Sequence, residues 1–287
     1  MLIRILKKSF DILWQNSVII QPFILFMFLI SLLLGSVGSF RIEFSPLMIG
    51  FLISAFALSC AFIAGWFQLF QAAIRNYAKK DATPAERAEL SLGSFREFLP
   101  AVGRFFVPVT IAMILYLLLF FAMMKLAVIL GLKYIGVSEN ISFASLSGIL
   151  GDKEKVYLFV ESLTTADRQM LLKWDMLLLF AVGFFSYITM FWFQAIIMNG
   201  ENAVKSFFTG MKAVFANPFV TFGIFVFYWC SSFFTSFVSA IFPEMFLIQL
   251  LNLMLVVFIT AYFIMINFVY FEEYSGNNIA GWTNIFR

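Results

Sequence analysis

Apolar residues run in six long stretches, near 17–40, 46–74, 105–131, 174–199, 214–240 and 245–271, with polar segments between them. A helix needs about 20 mostly apolar residues to cross the hydrocarbon of a bilayer, and each stretch supplies that length. Hydrocarbon offers no partner for backbone N–H and C=O groups, so such spans are helical. The pattern predicts an all-α polytopic membrane protein with six transmembrane helices, one membrane domain covering 1–287.

Between the spans the period changes. In 2–16 the polar residues Arg4, Lys7, Lys8, Asp11 and Gln15 recur at three and four, one stripe of a helix. In 92–106, Arg96, Glu97, Pro100, Gly103 and Arg104 oppose Leu92, Phe95, Phe98, Leu99, Val102 and Phe106. In 201–216, Glu201, Asn202, Lys205, Thr209 and Lys212 oppose Val204, Phe207, Phe208, Met211, Val214 and Phe215. Such segments are too polar to span and lie along the membrane surface, which predicts three amphipathic interfacial helices. Thr83-Pro84-Ala85-Glu86 and Ser94-Phe95-Arg96-Glu97 read as capping boxes. Thr164 to Asp167 reads as the start of the helix entering the fourth span. Asn217-Pro218 reads as the break before the fifth span, because proline disfavours helix at the residue before it.

The segments also repeat. Phe70-Gln71-Ala72-Ala73-Ile74-Arg75-Asn76 closes the second span, and Phe193-Gln194-Ala195-Ile196-Ile197-Met198-Asn199 closes the fourth. After each come a Ser-Phe pair, Ser94-Phe95 or Ser206-Phe207, and an Ala-Val pair, Ala101-Val102 or Ala213-Val214. Ser9-Phe10 stands before the first span. The unit reads as surface helix, span out, span back, used over 1–76, about 82–199 and about 200–271. Units of this kind are parallel hairpin repeats about an axis near the membrane normal. The first unit matches more weakly, because its surface helix reads as shorter.

Composition then removes whole classes of function. The chain is 62% hydrophobic and 12% charged, with mean hydropathy +0.96, outside the range of soluble domains. Forty-one phenylalanines read as lipid-facing and packing surface. A net charge of +3 is too small for a nucleic-acid surface. There is no histidine, and Cys60 and Cys230 fall inside spans without ligand spacing. No nucleophile elbow, phosphate loop or paired intramembrane carboxylate appears. No catalytic, cofactor or metal site is expected, and a non-enzymatic role is expected with it.

Basic residues set the orientation. With a cytoplasmic N-terminus, the inner segments hold twice as many Lys and Arg as the outer ones, as the positive-inside rule asks. Both termini, including the tail 272–287, are then cytoplasmic, and 132–173 is an extracytoplasmic loop with helical pieces. Arg4, Lys7 and Lys8 precede an apolar run too long for a signal-peptide core, so the first span reads as retained.

Lys8-Ser9-Phe10 through Trp14-Gln15-Asn16 carries a likeness. Its basic Ser-Phe helix, followed by Asn and a span, resembles a group of bacterial six-span membrane proteins of unknown function. It is similar also to the membrane region before the catalytic domain of some glycerophosphodiester phosphodiesterases. The resemblance implies a fold and a bacterial cytoplasmic (inner) membrane. This chain lacks the phosphodiesterase domain, so that activity does not carry over.

Ionisable residues within a span point to function by default. Lys125 is the basic one, in the outer part of the third span, and its stem can snorkel to the interface. Gln249 and Asn252 share a face of the sixth span, with Asn267 nearer its inner end. Gln71 and Gln194 are the repeat-equivalent pair. Such amides either join helices or line a polar path. Ala57, Ala61 and Gly65, with Ser231, Thr235 and Ser239, and Ser232, Ser236 and Ala240, read as close-packing rows. Lys7, Lys8, Lys205 and Lys212 are the candidate contacts to lipid headgroups. The expected partners are membrane lipids and a membrane or cytoplasmic protein. Two functions compete: a non-enzymatic protein that organises lipid or a partner, and a transporter or channel component for a small or amphiphilic solute. A third, an intramembrane enzyme acting through loop residues such as Glu154, Glu161 and Asp167, ranks behind both, since those residues read more simply as a solvated helix face.

Overall fold

The computed structural model describes residues 1–38, 46–78, 84–137 and 153–285. The protein is 92% helical, with no strand among the described residues. The helices are α1 (Leu2–Gln15), α2 (Ile20–Gly38), α3 (Pro46–Tyr77), α4 (Pro84–Ser94), α5 (Phe98–Tyr134) and α6 (Lys153–Ser162). They continue with α7 (Thr165–Thr189), α8 (Trp192–Asn199), α9 (Ala203–Ala216), α10 (Pro218–Ile241) and α11 (Phe246–Ile285). Among the described residues, five helical runs are long and apolar enough to cross a bilayer. A sixth is reached if α1 and the helical run Ser17–Leu33, bent by 81° at their junction, count as one. This is a polytopic, all-α membrane protein.

Several local signals act as expected. Thr164 Oγ1 accepts the Asp167 N–H at 3.2 Å and donates to the Asp167 carboxylate at 2.7 Å, and α7 starts there. α9 ends at Ala216 and α10 starts at Pro218. A cap not singled out in the sequence is Asn202 at the start of α9, its side-chain oxygen accepting the Lys205 N–H at 2.9 Å.

Other details differ from the sequence pattern. Ser94 caps nothing. It has helical backbone, donates to the Leu90 carbonyl at 3.0 Å, and leads through a 3₁₀ turn (Phe95–Glu97) into α5. The surface helix expected over 92–106 is therefore not a separate element: 92–94 end α4 and 98–106 open α5, within one apolar run, Glu89–Tyr134. The expected capping-box acid, Glu97, instead pairs with Arg75 and accepts from Gln68 at 2.9 Å. Thr83, the other expected cap, lies outside the described residues. The surface helix of the first unit is not short, since α1 and α9 each have 14 residues. The fourth span is broken at Met190–Phe191 rather than continuous, with Phe191 at φ −105° and ψ 8°.

Contacts divide the chain into two compact units. The smaller, Ile114–Tyr187, holds the second half of α5 together with α6 and most of α7. Phe185 packs on Tyr116 and Phe120, with ring centroids 4.9 and 5.6 Å away. Trp174 covers Gly131, where any side chain would strike the indole, and donates Nε1–H to the Gly136 carbonyl at 3.0 Å.

The larger unit comprises 1–113 and 188–287. Its core lies where one end of α3, all of α8 and the middle of α11 meet. Phe67 touches Phe193 and Phe268, and Phe70 stacks on Phe268 at 6.0 Å. Phe191 stacks on Tyr270 at 4.9 Å. Leu69, Phe70, Phe191, Trp192, Ile196 and Phe268 are fully buried. Each aromatic pair adds about 0.5–1.5 kcal/mol beyond the area it buries. Away from this core, the far halves of α10 and α11 expose Phe233, Phe237, Phe246, Leu250 and Met254. Hydrocarbon is a good solvent for such surface and water is not.

Candidate functional site

Around that core sit α1, α4 and α9, each packed on a different core helix. α4 lies against α3, α9 against α8 and α1 against α11. Their serines Ser9, Ser94 and Ser206 are all buried, and so are Asn16, Ala101 and Ala213, seven residues further on in each case.

Each junction is held differently. On α3, Asn76 donates Nδ2–H to the Leu90 carbonyl at 3.1 Å and to Ser94 Oγ at 3.0 Å. On α8, Trp192 donates Nε1–H to the Ala203 carbonyl at 2.8 Å, and its ring meets Phe207 at 4.7 Å. Gly210 presses α9 onto the break in the fourth span. A Cβ at Gly210 would come within 3.0–3.1 Å of Phe191 and Trp192 backbone atoms. On α11, Tyr270 donates to the Ala213 carbonyl at 2.9 Å and Tyr262 to the Leu6 carbonyl at 2.8 Å. Arg4 pairs with Glu273 at 2.7 Å, and Lys8 lies 3.3 Å from Glu272 and 3.7 Å from Glu273.

These pairs divide the four candidate headgroup lysines. Lys8 turns to Glu272 and Glu273, and Lys205 pairs with Glu201 at 2.9 Å, one helical turn back. Lys7 and Lys212 are exposed and pair with no carboxylate among the described residues. Arg96, which sequence reasoning left on a weak face, stands in the same condition. The signal that finds it is its place between exposed Leu92 and Leu99, at spacings of four and three.

The intramembrane amides fall into two groups. Gln249 and Asn252 join α11 to α10. Asn252 donates to the Thr235 carbonyl at 2.9 Å and to Ser239 Oγ at 2.7 Å. Gln249 donates to the Phe242 carbonyl at 2.6 Å and accepts from Ser239 Oγ at 3.1 Å. Ser239 is the one member of the α10 hydroxyl row whose hydroxyl joins this ladder among the described residues; the Ser231 and Thr235 hydroxyls donate to carbonyls of their own helix. Gln194 and Asn267 belong to the core. Both are buried, and Gln194 Oε1 and Asn267 Oδ1 accept no hydrogen bond from any of the described residues. Gln71 is half-buried on α3, one turn beyond Phe67. Lys125 is exposed on α5, in the smaller unit.

Among the described residues no three His, Cys, Asp or Glu side chains gather where a metal ion would be held. Comparison of the chain with protein-family models, curated proteins and solved structures finds no match. The functional reading therefore rests on α1, α4 and α9, on how they pack, and on the charges they carry.

Proposed function

We propose that this is a six-span protein of the bacterial cytoplasmic membrane, both termini cytoplasmic, that organises lipid or a protein partner at the inner face without catalysing a reaction. One observation carries the reading. Each surface helix packs on the core helix that ends the preceding unit, and α1 packs on α11, which ends the last. Three parallel units closing on themselves account for that order, and for the shared burial of Ser9, Ser94 and Ser206. The resemblance to the membrane region of some phosphodiesterases agrees with this reading in fold and compartment. A collar of helices with exposed Ile3, Trp14, Leu92 and Phe208 suits the boundary between headgroups and acyl chains.

Lipid retained through mild-detergent purification, read by native mass spectrometry, tests the reading. Anionic lipid carried in preference to zwitterionic lipid supports it, and a chain that emerges bare counts against it. A second reading, passage of a small solute, draws on the unpartnered oxygens of Gln194 and Asn267, since buried acceptors are seldom left so. Flux into proteoliposomes that disappears in Gln194→Leu/Asn267→Leu would favour it over the first.

A further inference from the structure

The buried face of each surface helix accounts for its packing but not for its opposite face. On α1, Ile5, Ser9, Ile12 and Leu13 are buried, while Ile3, Lys7, Phe10 and Trp14 form a stripe on the far side, spaced four, three and four. Leu92, Arg96 and Leu99 repeat the arrangement at the α4–α5 join. Val204, Phe208, Lys212 and Phe215 repeat it on α9. All the apolar members are exposed, Ile3 at 81%, Leu99 at 77% and Trp14 at 69%. Each stripe holds one cation between apolar neighbours a turn away on either side. None of the three cations has a carboxylate partner among the described residues, whereas Arg4, Lys8, Arg75 and Lys205 all do.

We infer that Lys7 on α1, Arg96 in the turn after α4 and Lys212 on α9 are headgroup sites for anionic phospholipid. The inference rests on the lipid reading above and names its residues. An apolar stripe at the membrane edge sinks among acyl chains, with tryptophan at the headgroup level. A cation set within that stripe is carried to the depth of the lipid phosphates. Its charge is met there by the phosphate, because the protein supplies no carboxylate. A free phosphate ion would meet the charge and leave the stripe in water, while a phospholipid satisfies both. Arg4 and Lys8 are excluded because Glu272 and Glu273 already pair with them.

The test uses the whole chain in mild detergent, titrated with phosphatidylglycerol, with phosphatidylcholine, and with inorganic phosphate, and read by native mass spectrometry. Two variants are compared: Lys7→Gln/Arg96→Gln/Lys212→Gln and Lys8→Gln/Lys205→Gln. Each neutralisation in the first set should weaken phosphatidylglycerol binding about fivefold, the effect of one Lys or Arg near an anionic surface. The second set should bind as the wild type does. Equal retention by the first set, equal loss in the second, or phosphatidylcholine held as tightly as phosphatidylglycerol overturns the assignment. Phosphate competing at equal concentration overturns the lipid source. If the first set fails to fold, Lys7→Arg/Arg96→Lys/Lys212→Arg replaces it, and loss of phosphatidylglycerol there counts against the assignment. A wild type that binds no lipid sinks the functional reading itself. Lipid held equally by wild type and triple variant sinks only the choice of residues.

Discussion

At the α4–α3 junction an amide does the holding, with Asn76 reaching both Leu90 and Ser94. At the α9–α8 junction the corresponding Asn199 is exposed, and the Ser206 hydroxyl makes no hydrogen bond. Contact between backbones replaces it there. Gly210 lets α9 rest on the peptide groups of Phe191 and Trp192, and the Trp192 indole ties the two helices together. The same short sequence signature thus marks where a helix docks without dictating the bonds that dock it. Position is set by which face is apolar. The bond is set by whatever small or polar side chain the neighbouring turn offers.

The contrast can be broken most sharply at Trp192. Trp192→Ala removes a fully buried indole and should cost about 3–5 kcal/mol, read as chemical unfolding in detergent. Trp192→Phe should lose less, because a ring still fills most of the site, although the bond to Ala203 and part of the buried ring volume go.

The glycines come next. Gly210→Ala places a methyl 3.0–3.1 Å from backbone that cannot swing aside, and should cost about 1–3 kcal/mol. Gly93→Ala on α4 meets open space and should stabilise by up to about 1 kcal/mol. If both substitutions shift the melting temperature in the same direction, the account of α9 is wrong.

The smallest difference lies between the two asparagines. Asn76→Leu should cost about 0.6–2 kcal/mol, whereas Asn199→Leu on the exposed side should stay within about 0.5 kcal/mol. Equal effects in paired melts would mean that the amide bond at α3 carries no special weight.

How much of this was legible in the sequence follows from the range of each force. Six apolar runs are legible because hydrocarbon acts on each run separately, and Asn217-Pro218 because proline acts on its own neighbour. The break at Met190–Phe191 was not legible. It contains neither Gly nor Pro and coincides with the seat of Gly210, on a different helix, and with the stack of Tyr270 on Phe191. The stripe on α1 was legible as a stripe, but its division was not. Arg4 and Lys8 turn to Glu272 and Glu273 at the far end of the chain, leaving Lys7 outward. Gln249 and Asn252 were legible as one face, and Ser239 as part of a small-residue row. That the two were halves of one ladder depends on how α10 and α11 pair.

The closing of the first helix on the last is the claim on which the three-unit reading depends, and it is tested across the Arg4–Glu273 pair. Arg4→Cys and Glu273→Cys, placed together in a background where Cys60 and Cys230 are alanine, are treated in native membranes with a homobifunctional maleimide long enough to replace the two side chains of the ion pair, and the monomer band is digested and read by mass spectrometry. The expected result is a linked peptide pair within one chain, absent from either single cysteine. A pair that stays unlinked, or that links only between two chains, would contradict it.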